Sequence, residues 1–289
     1  MATIQTQQRQ YLTYVLSRTD TAALLEVVPE RGGIITRWQV RDRDILYLDA
    51  ERFADPALSI RGGIPILFPI CGNLPDNTYT HQGQTYTLKQ HGFARDLPWQ
   101  MVDQSLEVDP SLTLQLNSTD QTRSVYPFEF ELRFTYRLGG DRLTIQQQYT
   151  NRSNQVMPFS AGFHPYFQVT DKQQLAFDLP ATTVQDQRTK TIHPFTGGFD
   201  FDQDEIDVAF QNLPTPTASV SDRSQGQRLT LTYSPQFSTL VFWTLKGKDF
   251  YCLEPWTAPR NALNTGEGLL QLAPGASLDI TFTLICRQS

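Results

Sequence analysis

The run FEFELRFTYRLGGDRLTIQQQYTN, residues 128–151, alternates apolar and polar side chains with a period of two. In an extended chain Phe130, Leu132, Phe134, Tyr136 and Leu138 share one face and the polar residues take the other. A helix would scatter the same residues around its circumference, so the pattern selects strand over helix. The Gly-Gly-Asp at 139–141 is expected to supply the positive φ angles of a tight hairpin. Comparable alternation recurs in SLTLQLN (111–117), QRLTLTYS (227–234), STLVFWTL (238–245) and SLDITFTLICR (277–287), each bounded by turn-forming residues. No amphipathic helix of ordinary length is evident. Strands spread along the whole chain, with no flexible or charged spacer, predict one antiparallel β-sandwich domain over residues 1–289 with few short helices.

Composition narrows the partners. The formal net charge of −6, without a Lys/Arg cluster along the sequence, argues against nucleic acid. The N-terminus has neither a basic region nor a continuous apolar core, and no apolar run of membrane-spanning length follows; a soluble, cytoplasmic protein with no membrane partner is expected. Cys71, Cys252 and Cys286 lack CxxC spacing and are expected to be small buried hydrophobes.

Four stretches do not alternate: SIRGGIPILFPICGNLPDN, LKQHGFARDLPW, AGFHPYFQV and DFYCLEPWTAPRNALNTGEG. They mix Gly, Pro, aromatic and single charged residues, as loops and strand ends that shape a cavity do. Glu254 stands among Tyr251, Cys252, Leu253 and Trp256 with Pro255 behind it, where a carboxylate is costly unless paired. It is read either as a solvent-facing strand end or as a general base kept partly dry. His164 lies among Phe163, Tyr166 and Phe167, and leaving a buried ring nitrogen unpartnered costs about 1 to 3 kcal/mol. Its partner is either a backbone group or a ligand. Together the two could act as acid and base in one cavity. Arg61, His91 and Arg95 accompany glycines that permit close approach of a ligand, although each also suits a solvated loop. Phe93, Phe163, Tyr166 and Trp256 could stack on a sugar ring or simply fill the core. His81 and His91 lack metal-ligand spacing, and no metal is assigned.

RGGIPILFP, QHGFAR, AGFHPYF, IDVAF and CLEPW, in this order between roughly residues 20 and 285, resemble the aldose 1-epimerase (galactose mutarotase-like) superfamily. The resemblance implies a β-supersandwich with a broad cleft, and catalysis with no cofactor or metal. By it, His164 is the general acid toward a pyranose ring oxygen and Glu254 the general base toward the anomeric hydroxyl, the two facing opposite sides of one hemiacetal. Arg61, His91, Asp207 and Trp256 would bind the sugar. RGGIPILFP and HGFAR stand closer to the hexose-6-phosphate epimerase branch than to galactose mutarotases, and Arg95 is the candidate phosphate ligand. The expected activity is interconversion of α and β anomers of a hexose. The free sugar is favoured over the sugar phosphate because the sequence shows no basic cluster; a non-catalytic carbohydrate-binding protein is the alternative.

Overall fold

A computed structural model describes residues 1–288. Its strands form two eight-stranded antiparallel sheets, one five-stranded sheet and two small two-stranded sheets. The first large sheet runs, in spatial order, Leu175–Asp178, Thr217–Asp222, Gln227–Tyr233, Ser277–Gln288, Arg142–Asn151, Phe130–Leu138, Ser111–Asn117 and Gln100–Ser105. The second runs Ile192–Pro194, Thr183–Asp186, Glu205–Gln211, Thr239–Leu245, Phe250–Trp256, Gly162–Phe163 and Ile66–Leu67, with Tyr166–Gln168 also paired to Phe250–Trp256. The five-stranded sheet holds the N-terminal strands up to Arg43–Asp44. Helix is confined to three short segments, Ala50–Ala54, Asp120–Val125 and Ala262–Thr265, besides single 3-10 turns. No helix is long and apolar enough to cross a membrane. The antiparallel sandwich expected from the alternation is therefore present.

Phe130, Leu132, Phe134, Tyr136 and Leu138 are all buried on one face, and the strand pairs with Arg142–Asn151 from Phe130↔Asn151 to Leu138↔Leu143. The turn between them departs from expectation. Neither Gly139 nor Gly140 has a positive φ. At Gly140 the absence of a side chain matters for space instead, since a Cβ there would come within 2.8 Å of Thr21 Cγ2. All three cysteines are buried and free.

The two large sheets close on an aromatic core. Phe163 of the second sheet lies 5.2 Å, ring centre to ring centre, from Phe282 of the first, and Phe242 lies 5.3 Å from Phe177. Alternation in the second sheet then decides what faces away from this core. Ile206, Val208, Phe210, Leu240, Phe242, Tyr251 and Leu253 join the core. Their alternates include Glu205, Asp207, Trp243, Glu254 and Trp256, which line a single cavity on the outer face.

Candidate active site

The cavity measures about 340 Å³, within the range that suits a monosaccharide-sized ligand. Register brings its floor together. Asp207 pairs across the sheet with Trp243, Trp243 with Cys252, and Cys252 with Tyr166. His164 sits between the strands Gly162–Phe163 and Tyr166–Gln168, its backbone N–H donating to the Pro65 carbonyl at 3.1 Å. This places His164 Nε2 3.3 Å from Glu254 Oε1.

The two groups lie side by side rather than on opposite sides of a shared space. Glu254 is 1% exposed and His164 9%. Burial, reinforced by the nearby Asp207 charge, pushes the Glu254 carboxyl well above its usual range. Burial, with Arg95 adding, brings His164 down to about 3. Despite the short separation, desolvation favours the uncharged pair, with the one proton they share resting on the carboxyl. Trp256 Nε1 donates to Glu254 Oε2 at 3.2 Å and fixes the carboxyl plane. The His164 ring stacks on Tyr166 at 4.7 Å between centres and 12° between planes, while its Nδ1 is buried without a hydrogen-bond partner.

His91 is held differently. Its φ of 66° is left-handed, and its Nδ1 accepts a hydrogen bond from the Gly72 N–H at 3.0 Å. The ring proton therefore resides on Nε2. Burial first, and then the cationic Arg95, hold His91 well below its usual value, so it is a neutral donor. Gly92 follows with φ 71°, and a Cβ there would fall 2.2 Å from the Phe68 carbonyl oxygen. Only glycine fits this turn.

Arg61, Arg95, Asp207 and Trp256 all line the cavity, as do residues that sequence reasoning did not single out, among them Arg52, Trp243 and Arg260. Arg260 Nη2 donates to both carboxylate oxygens of Asp207, each at 2.8 Å, and its guanidinium lies 5.6 Å over the Trp256 ring. Burial outweighs this pairing and leaves the Asp207 carboxyl above its ordinary value. Arg61 stacks 5.9 Å from the centre of Trp243, whose indole N–H donates to Glu205 at 2.7 Å. Arg95 donates to the Gln90 carbonyl, and its buried Nε has no partner.

One expectation needs correction, and two open readings are decided by packing. Four arginines converge on the cavity, so the absence of a basic run in the sequence concealed a basic cluster in space. Phe93 and Phe163 are core residues, against Phe68 and Phe282 respectively, and do not line the cavity. Trp256 is 1% exposed, with Arg260 over its ring, and is a wall rather than an open stacking platform. His81 packs on Phe128 and does not line the cavity with His91. Among the described residues the one group able to offer three metal ligands is His164, Cys252 and Glu254, whose donor atoms lie within 4.8 Å of one another. Burial keeps the Cys252 thiol protonated, which weakens it as a ligand.

A family model described as aldose 1-epimerase matches residues 14–284. The chain belongs to the aldose 1-epimerase family. It is similar to the Slr1438 protein from Synechocystis sp. PCC 6803, whose crystal structure superposes with a TM-score of 0.96 at 45% identity over 98% of this chain and 97% of that one. A galactose mutarotase-like protein from Clostridium acetobutylicum shares the fold, with TM-score 0.85 and 20% identity over 100% of this chain and 99% of that one. A Cenchrus ciliaris protein named "Putative glucose-6-phosphate 1-epimerase" is 28% identical over 75% of this chain and 67% of its own length.

Proposed function

We propose that this aldose 1-epimerase family member interconverts the α and β anomers of a hexose phosphate by acid/base ring opening, with His164 as acid and Glu254 as base. The 3.3 Å approach of His164 Nε2 to Glu254 Oε1 on the floor of the cavity carries the reading. The ring oxygen and the anomeric hydroxyl of a pyranose hang from the same carbon. An acid and a base serving them must therefore be neighbours, and a side-by-side pair suits that geometry better than an opposed one.

In the forward step Glu254 takes the proton from the anomeric hydroxyl as the C–O bond to the ring oxygen breaks. The departing electron pair on that oxygen takes the proton from His164. The free aldehyde turns about its C1–C2 bond and closes by the reverse transfers, with no net change in protons or electrons. Before ring opening the pair must be carboxylate and imidazolium; afterwards it is carboxylic acid and neutral imidazole. Burial favours the second state at rest, so the shared proton must first pass from Glu254 to His164 across their 3.3 Å separation before the pyranose opens. His91, a neutral Nε2–H donor, is suited to orient a sugar oxygen without competing for the transferred proton. Asp207, locked by Arg260, offers fixed acceptors for sugar hydroxyls. No cofactor or metal enters this scheme.

The phosphate is inferred from Arg52, Arg61 and Arg95, none of which forms an ion pair with a carboxylate among the described residues. Arginine N–H groups left free in one cavity match the oxygens of a phosphate ester. The test is exchange spectroscopy by NMR on a free hexose and its 6-phosphate. His164→Asn and Glu254→Gln should each lower the rate by about 10² to 10⁴ with the fold intact. Acceleration of neither sugar by the wild type would sink the proposal, and acceleration of the free sugar alone would remove the phosphate from it.

A further inference from the structure

The backbone from Asp49 to Arg61 leaves the sheet and returns to it through a closed neck, where the Asp49 N–H donates to the Arg61 carbonyl at 2.9 Å. Four cavity residues, Arg52, Ser59, Ile60 and Arg61, come from this loop. Its only regular structure is the helix Ala50–Ala54, capped by the Asp49 side chain accepting from the Arg52 N–H. Arg52 Nε donates to the Ser59 carbonyl at 3.1 Å, so the two limbs are tied on the cavity side.

The other side of the loop is held by a residue that does not line the cavity. Arg31, at the end of the turn Pro29–Arg31, is 8% exposed and forms no ion pair among the described residues. Its Nη2 donates to the carbonyls of Asp55 and Leu58, both at 2.9 Å, and its Nη1 approaches that of Pro56 at 3.4 Å. A buried cation coordinated by carbonyls of one irregular loop anchors its 55–58 turn. Besides Arg61 over Trp243 at the far end of the loop, other ties are Gln10 to the Ala54 carbonyl and an edge contact between Tyr11 and Phe53 at 5.5 Å. The Gln10 and Tyr11 contacts grip the helix end, and none of these ties holds the 55–58 turn.

We infer that Arg31 is a positioning residue that sets the affinity for the anionic substituent of the substrate by holding the 49–61 loop, and with it Arg52 and Arg61, against the cavity. The inference rests on the phosphate reading above. It needs no contact between Arg31 and substrate. A guanidinium spreads its donors over three carbonyls in fixed directions, which an ammonium cannot reproduce, so lysine should restore the function only in part.

The experiment compares wild type, Arg31→Met and Arg31→Lys on a free hexose and its 6-phosphate, together with binding of inorganic phosphate alone. In Arg31→Met the KM for the 6-phosphate should rise about tenfold or more and inorganic phosphate should weaken in parallel, as expected from loosening a charge-assisted contact. The kcat should change little, the free hexose should be nearly unaffected, and Arg31→Lys should fall between. Hydrogen exchange should accelerate at residues 50–60 and not in the strand Phe250–Trp256. An equal loss of kcat on both sugars, or faster exchange throughout the sheets, would make Arg31 a general structural prop and overturn the inference. A wild type that prefers the 6-phosphate, with Arg31→Met unchanged, overturns this inference alone. A wild type indifferent to phosphate overturns the substrate reading, and this one with it.

Discussion

Raising the pH above 6.5 should weaken the fold through the His164–Glu254 pair, and Glu254→Gln should remove that weakening. In the folded chain burial pushes the Glu254 carboxyl up and His164 down to about 3, so the pair keeps one proton across a broad window. In the unfolded chain the two groups take their ordinary values, 4.5 and 6.5. Below 4.5 the unfolded chain binds one proton more than the folded one, and stability rises with pH. Between 4.5 and 6.5 the two states hold the same number, and the pair contributes no slope. Above 6.5 the folded chain holds one more, and stability falls as pH rises. One proton corresponds to about 1.4 kcal/mol per pH unit, so about 2 kcal/mol is lost by roughly pH 8 while the folded pair keeps its proton. With Gln at 254 neither state holds this proton in the alkaline range, and the slope vanishes. His91, also buried and neutral, adds a slope only on the acid side, where the unfolded chain takes a proton there. Urea unfolding across pH at constant ionic strength, read as the difference between wild type and variant, isolates the pair from other titrations. The imidazole ¹⁵N shifts of His164 then tell which partner carries the proton. A difference curve that stays flat above 6.5 would refute the reasoning, because the folded pair would have released its proton.

Further consequences can be measured directly. Gly92→Ala should cost about 1 to 3 kcal/mol for the left-handed backbone alone, before its clash with the Phe68 carbonyl, and should lower the melting temperature by several degrees. An unchanged melting temperature would mean that the turn holding His91 relaxes freely. Tyr136→Phe removes the 2.7 Å hydrogen bond to the buried Gly33 carbonyl that ties the first large sheet to the five-stranded one. It should destabilise by about 1 to 3 kcal/mol in denaturant titration without changing KM. Asp207→Asn breaks the hold of both carboxylate oxygens on Arg260 Nη2 and should raise KM for every hexose tested, phosphorylated or not. An increase confined to the phosphate ester would assign Asp207 to the other end of the cavity.

Much of the fold was legible because a sheet with one face in the core writes its geometry into the sequence every second residue, as in Phe130–Leu138 and Ser277–Gln288. The site was legible where a charged or polar group stood in apolar company, which is how His164 and Glu254 stood out. Arg260 gave no such signal. It follows Pro259 in an ordinary turn, and only the packing of the sheet brings it to Asp207, 53 positions away. Arg52 likewise lies in a loop whose composition is that of any surface. Phe93 and Phe163 stayed open between core and cleft for a complementary reason. Apolar residues near glycines satisfy both a core and a cleft, and the choice between the two faces is made by strands elsewhere in the chain.

The strand Phe250–Trp256 shows how closely chemistry is bound to register. Its seven residues are all buried, so hydrophobicity alone does not distinguish its faces. Pairing does: Val241↔Glu254 and Trp243↔Cys252 turn Glu254 outward while Leu253 enters the core. A slip by one residue would exchange them, sending a carboxyl into an aromatic interior and an alkyl group to the cavity floor. The cost of that exchange, an unpaired buried acid, is also what holds the register in place. The dryness that raises the Glu254 carboxyl is thus the outcome of ordinary sheet packing on both sides of one strand. The cavity wall draws its charge from outside the strands: Arg52 from the short helix, Arg61 from the loop that follows it and Arg95 from a 3-10 turn, with the buried Arg95 Nε left without a partner in the protein.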